Sequence, residues 1–211
     1  MRPVPRPQWL GRLDYRWALR LQRSRRDAVI DGRAPEAFWL LEHPSVVTLG
    51  RRGGEVRAVP GEVPVVSVER GGLATVHTPG QLVGYLVLDL GGRSGSVRRM
   101  VEAVEQGIID WLGQHRVSAE RWPGRPGVWC DGAKIASVGL HFRRGVSLHG
   151  FALNLAPDLR TFDWIVPCGH ADASVTSMRD QCGRAPTPWE AAEPVGSAVM
   201  AAVVDTLPGR G

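Results

Sequence analysis

GVWCDGAKIASVGLHFRRGVSLHGFALNL, residues 127–155, reads as three strands joined by two turns. GVWC, AKIASVGLHF and GVSLHGFALNL are strand-like apolar runs, and the breaks between them fall at Asp131-Gly132 and Arg144-Gly145. Such a pair between strand-like runs signals a tight hairpin, whose central residues need positive φ. A sheet made largely of hairpins, flanked by long helices, predicts an α+β fold rather than a doubly wound α/β one.

The flanks supply the helices and further strands. LDYRWALRLQRSRRDAVI (13–30) spaces Leu13, Trp17, Ala18, Leu21 and Ala28 near helical period, with arginines on the other face. FWLLEHPSVVTLG (38–50) predicts two short strands split by His43-Pro44, VPVVSVER (63–70) a third, and LVGYLVLDL (82–90) a fourth. Residues 96–116 predict a helix from Val97, Val101, Val104, Ile108 and Trp111 or Leu112, with Ser96 as N-cap. Thr187-Pro188-Trp189-Glu190 fits a capping box opening a last helix, which Pro194 should kink or restart. RGGLATVHTPGQ (70–81) is too rich in glycine for a strand interior, and its backbone is suited to close approach to a ligand. With no linker or repeat in view, residues 1–211 read as one domain.

At 211 residues the chain is long enough to bury a real core, and its 43% hydrophobic and 22% charged residues are ordinary for a soluble protein. No apolar run is long enough to span a bilayer, and the first residues lack the apolar centre of a secretory signal. Three cysteines without a CxxC pair predict neither a disulfide framework nor a metal site, which points to the cytoplasm. The net charge of +5 invites a nucleic-acid partner, but the arginines are scattered and no nucleic-acid motif accompanies them. A basic surface that steers acidic proteins is equally consistent.

Two residues stand out chemically. Lys134 is the only lysine; the other 25 basic side chains are arginine. A guanidinium stays charged, whereas an amine can lose its proton and act as a base, so the position either must titrate or is a leftover of arginine-biased composition. Cys168, in IVPCGH, sits between Pro167 and Gly169, a setting that presents a thiol as a nucleophile, although a small buried hydrophobe is the common fate of a free cysteine. A thiol needs a neighbouring cation or base, and Lys134 and the histidines at 43, 77, 115, 141, 149 and 170 are the candidates. His77 and His149, each among glycines, are read as a general base or as pocket residues, or as structural side chains. His115, at a helix C-terminus, and Cys130 and Cys182 are read as structural.

RGGLATVHTPGQLVGY (70–85), the stretch 127–155 quoted above and FDWIVPCG (162–169), together with LLEHPSVVTLGRR (40–52), resemble the lipoyl (octanoyl) transferase family of the biotin and lipoate protein ligase superfamily. The resemblance covers most of residues 13–178. It implies a mixed sheet packed with helices, the biotin/lipoyl ligase core. It implies that Cys168 carries the acyl group as a thioester, and that Lys134 lowers the thiol's pKa and shuttles the proton. It makes Arg70, Gly71, Gly72, Leu73, Ala74, Thr75, Val76 and His77 the substrate cradle, joined by Ser137, Val138 and Gly139 and by Gly150, Phe151 and Ala152, with His149 as an accessory residue. The implied donor is octanoyl-acyl carrier protein. The implied acceptors are lipoyl domains of 2-oxoacid dehydrogenase E2 subunits and the glycine cleavage H protein. No cofactor, metal, nucleic acid or membrane is expected. Thr78 and His170 depart from the family's usual residues. The alternatives are an ATP-dependent lipoate or biotin ligase on the same fold, an inactive relative that docks carrier domains, and a cysteine hydrolase using Cys168 with His77 or His149.

Overall fold

The structure, a computed structural model, describes residues 4–91, 96–166 and 174–207. Both predicted hairpins are present. Asp131 and Gly132 (φ 46° and 80°) join β8 (Arg125–Cys130) to β9 (Ala133–Arg143), and Arg144 and Gly145 (φ 49° and 81°) join β9 to β10 (Val146–Asn154). These positive φ values are what a two-residue turn between twisted strands demands.

The three strands form part of a seven-stranded sheet. Its other members are β1 (Pro7–Arg12), β2 (Ala37–Glu42), β6 (Gln81–Val87) and β7 (Glu120–Trp122), in the order β1-β2-β6-β10-β9-β8-β7. β1 pairs with β2 in parallel and every other neighbour is antiparallel, so the sheet is mixed. A second sheet, ordered β4-β3-β5, holds β3 (Val46–Leu49), β4 (Val65–Ser67) and β5 (Ala74–His77).

Helix α1 (Tyr15–Ile30) starts at Asp14, whose carboxylate accepts the Trp17 N–H at 2.9 Å. Its buried face is Tyr15, Ala18, Leu19, Gln22, Arg26 and Val29. The expected face was off register: Trp17 is 46% exposed, because Gln22 and Arg26 complete the inward stripe. Helix α2 (Ser96–Gln114) buries Met100, Val104, Ile108, Trp111 and Leu112, while Val97 is exposed. It stops two residues before the expected end, where Arg116 turns left-handed (φ 61°) and the Val117 N–H closes onto the Leu112 carbonyl at 3.1 Å. His115 lies there against the Trp111 ring.

A short helix, α3 (Met178–Cys182), precedes α4 (Pro188–Thr206), which opens with the capping box of Thr187 and Glu190. α4 passes through Pro194 without a restart. α2 and α4 pack with β2, β6, β9 and β10 around the main core, which includes Phe38, Leu40, Leu86, Ile108, Phe151 and Val199. α1 packs with β6 and β10 and closes smaller clusters with the second sheet, including Tyr15, Val46, Val68 and Leu148.

β1, β5, β7 and α3 were not expected. β5 is only four residues long, and its glycines lie before it, in the 70–73 loop. The expected strand at 63–70 is shorter, ending at Ser67, so that Val68–Leu73 forms that loop. Among the described residues no helix is long and apolar enough to cross a membrane.

Candidate active site

One cavity of about 360 Å³ is lined by β9 and β10 of the large sheet and by β5 with its preceding loop. That volume lies at the lower end for small-molecule sites, which run roughly 300–1,000 Å³. Among the sequence-predicted residues, Arg70–Thr75, His77, Ser137–Gly139 and His149–Ala152 line it, and so does Lys134. Val76 does not; it is buried in a cluster with Val47, Phe162 and Ile165. Cys168 and His170 lie outside the described residues.

The cavity exists because two alternate rungs of the sheet, on either side of the Val138–Phe151 pair, carry almost no side chain. Ser137 pairs with Ala152, and Gly139 with Gly150. A Cβ on Gly139 would sit 3.2 Å from the Gly71 carbonyl oxygen, and one on Gly150 would sit 2.1 Å from that of Gly84. The first glycine is needed for the loop above the floor, the second for the neighbouring strand.

Lys134 stands at one side of this space. Its Nζ donates to the Pro126 carbonyl at 3.0 Å and lies over the Trp129 ring, 4.7 Å from the centroid. Trp129 is fully buried and stacks on Trp122 at 4.6 Å and 14°. An ammonium over an indole face gains roughly 0.5–2 kcal/mol, depending on how far water is excluded. Gly127 leaves room for the lysine stem: a Cβ there would meet Lys134 Cε at 3.1 Å and the Ala136 carbonyl oxygen at 2.5 Å. The buried carboxylate of Glu105, from α2, accepts the Gly127 N–H at 2.7 Å. Pairing with residues 174–176 fixes the lysine backbone, for its N–H donates to Ser174 at 2.9 Å and its carbonyl accepts from Thr176 at 3.0 Å.

Arg70 is a buried cation that spends its donors on its own surroundings. Nη1 donates to the Gly71 and Leu73 carbonyls at 3.0 and 2.7 Å, and Nη2 to the carbonyl and hydroxyl oxygens of Thr48, both at 2.8 Å. It therefore shapes the 70–73 loop from within. Only Nε lacks a partner among the described residues.

Tyr15, Tyr85, His77 and His149 complete the inner wall, with His43 buried behind them. His43 bridges the Leu13 carbonyl (2.6 Å) and the Tyr85 hydroxyl (2.7 Å), and His77 stacks on Tyr15 at 5.7 Å. Burial holds His43 down at about 4, and burial with the His43 and Arg70 charges holds His77 well below the ordinary histidine value. Burial pushes the Tyr15 phenol up to about 12. These rings are neutral packing and hydrogen-bonding groups at neutral pH. Thr78 fits without strain, its hydroxyl 3.0 Å from that of Ser45.

His149 is different. Its φ of 65° lies in the left-handed region in mid-strand, a conformation that costs about 1–3 kcal/mol and survives only where neighbours enforce it. Its N–H donates to Gln22 Oε1 of α1 at 3.0 Å. Its Nε2 faces Glu69 at 3.8 Å, too long for a hydrogen bond. Glu69 is held by Arg23 at 2.9 and 2.7 Å, and its carboxyl lies well below the usual range through His149 first and the Arg23 bond after it.

The tyrosines, Gln22, Glu69, Glu105 and Trp129 were not among the expected site residues. The available signal was Gln22 and Arg26 standing in register with the apolar stripe of α1. Burial pushes the Cys130 thiol up to about 11, an inert group, as its structural reading requires. No group of three or more His, Cys, Asp or Glu side chains among the described residues is arranged to hold a metal ion.

Residues 14–199 match the lipoyl protein ligase A/B catalytic domain. The chain is 48% identical over 172 residues to an octanoyltransferase of Methylococcus capsulatus, covering 81% of this chain and 83% of that one. It is 43% identical over 199 residues to an octanoyltransferase of Geobacter sulfurreducens, covering 94% and 85%. The fold matches a putative lipoate protein ligase from T. acidophilum with a TM-score of 0.72 at 16% identity, over 97% of this chain and 86% of the other. A bipartite lipoate protein ligase from Thermoplasma acidophilum, described with its E2 lipoyl domain, matches with a TM-score of 0.69 at 16% identity, over 96% and 83%. At that identity the solved structures establish the mixed-sheet ligase fold, and the sequence match over most of the chain establishes descent: the chain belongs to the lipoyl protein ligase A/B catalytic domain family.

Proposed function

We propose that the chain moves an octanoyl group from an octanoyl-acyl carrier protein to the ε-amine of a lysine on a lipoyl domain, through a thioester on Cys168. The observation that carries this reading is the cavity that joins the Lys134 ammonium to a trough floored by Gly139 and Gly150, in a chain 43–48% identical to octanoyltransferases. Two flanking residues support the role of the cysteine. Ile165, three residues before Cys168, and Val175, seven after it, both line that cavity.

In the first half-reaction the Cys168 thiolate attacks the donor thioester carbonyl. A new C–S bond forms, the bond to the carrier breaks, and the carrier leaves as a thiolate that takes a proton from the Lys134 ammonium, which is thereby left neutral. The Lys134 ammonium favours the attacking anion. In the second half the acceptor amine attacks the Cys168 thioester. The C–N bond forms, the C–S bond breaks, and the amine proton passes to Lys134 in its neutral form. Thioester exchange is near isoenergetic and thioester to amide is downhill, so the sequence runs without ATP. Arg52 and Arg125 on the cavity lining would speed encounter with acidic carriers. The acceptors proposed are the lipoyl domains of 2-oxoacid dehydrogenase E2 subunits and the glycine cleavage H protein.

The test is transfer from octanoyl-acyl carrier protein to an isolated lipoyl domain with no nucleotide present. ATP-independent transfer that Cys168→Ala abolishes is the expected result. Transfer that needs ATP and survives Cys168→Ala would make the chain a ligase instead.

A further inference from the structure

We propose that His149 closes the inner end of the acyl trough and sets the longest chain accepted, with Gln22 fixing its backbone and Glu69 facing its ring. The inference rests on the acyl-site reading above and names the residue that would give that site its length limit.

The trough is bare on two alternate rungs, Ser137 with Ala152 and Gly139 with Gly150, on either side of the Val138–Phe151 pair, and the rung after Gly139–Gly150 pairs Leu140 with His149. There the imidazole, 2% exposed, lies on the cavity lining. Lys134 is six residues before Leu140 on the same strand, about 20 Å away at roughly 3.3 Å per residue. With carbon–carbon bonds of about 1.5 Å, an extended eight-carbon chain spans about 9 Å and four further methylenes add about 5 Å. A chain that starts beside the lysine stem and runs along the bare rungs ends toward the imidazole, so added methylenes are the ones that meet the ring.

The ring is held there deliberately by the backbone. Ser147 N–H donates to the Leu88 carbonyl, so the alternation of the ladder would next bond His149 N–H to Leu86. Instead the Leu86 carbonyl accepts from the Ser147 hydroxyl at 2.7 Å, and His149 N–H turns to Gln22. Two buried hydrogen bonds thus replace one ladder bond and keep φ at 65°. Glu69, braced by Arg23 and with Arg26 at 4.0 Å, faces the ring from the side of α1. Burial lowers the His149 pKa against the opposing pull of Glu69, with Arg70 and His141 acting in the same sense as burial, so a neutral wall meets the hydrocarbon.

His149→Gly removes the ring and suits the left-handed φ, and His149→Asn, also tolerant of that region, removes part of the ring. The readout is the ratio of kcat/KM for dodecanoyl to octanoyl thioesters of the same carrier protein. The expected result is a rise of at least tenfold in this ratio for His149→Gly and a smaller rise for His149→Asn. A wild-type ratio in either variant, with octanoyl transfer still measurable, overturns the inference. Loss of all transfer at unchanged Tm also overturns it, since the ring would then act in the chemistry rather than as a wall. If the wild-type protein itself transfers no octanoyl group, it is the acyl-site reading that fails, and this inference falls with it.

Discussion

The Lys134 ammonium lies 4.7 Å from the centroid of the Trp129 ring, on the strand that pairs with its own. The ring and the Pro126 carbonyl hold a cation at the cavity wall, and both would hold an arginine as well. The chemistry separates the two residues. Lys134→Arg should still form the acyl-enzyme, because a guanidinium can favour a thiolate, but it cannot take the amine proton. Transfer to the lipoyl domain should fall by roughly 10²-fold or more, the usual worth of a general base. Single-turnover measurements of the two half-reactions, made separately, check this.

The trough predicts a split between two glycines. Gly150→Ala drives a Cβ to 2.1 Å from a strand carbonyl that cannot move aside, so it should lower stability by about 3 kcal/mol or more. Gly139→Ala meets the 70–73 loop at 3.2 Å, which can shift slightly, so it should cost about 1 kcal/mol and raise the KM for the acyl donor. Urea unfolding and donor titration distinguish the two effects.

Arg70 satisfies three carbonyls and a hydroxyl from two nitrogens. An ammonium cannot reach all four, so Arg70→Lys should leave buried acceptors unpaired and cost about 2 kcal/mol. The loss should appear first in Tm, and activity should follow it. Reduced activity at unchanged Tm would make Arg70 a direct substrate ligand.

Three buried histidines predict acid lability. His43 falls from its ordinary 6.5 to about 4 on burial, and His77 and His149 move the same way. The native state refuses protons that the unfolded chain accepts below pH 6.5. Stability is therefore complete above that pH and drains as pH falls from 6.5 toward 4. Each such group contributes about 1.4 kcal/mol per pH unit within the window. Tm should drop by about 5 °C or more between pH 6.5 and 4.5, and a flat profile would contradict the buried-neutral assignment.

The hairpin centre of the fold was legible because Asp131-Gly132 and Arg144-Gly145 have local causes, as does the capping box at Thr187. β1 was not, because PQWLGR holds a proline and a glycine and is a strand only through parallel pairing with β2. β5 was hidden by the glycines of the loop before it. In the site, Lys134 stands out along the chain as the lone lysine, whereas the small residues at 137, 139, 150 and 152 entered only through the family resemblance. Their supports could not be read along the chain. Trp129 meets Lys134 across strands, Glu105 reaches Gly127 from α2, and Gln22 reaches His149 over 127 residues of sequence. Such contacts depend on how elements pack, which local pattern does not carry.

The acyl-enzyme is the central claim, and intact mass after incubation with octanoyl-acyl carrier protein tests it most directly. The account predicts a gain of one octanoyl group on the wild-type protein, released by hydroxylamine and absent from Cys168→Ala. An unmodified wild-type protein that nevertheless transfers octanoyl to a lipoyl domain, or an adduct that persists in Cys168→Ala, would contradict it.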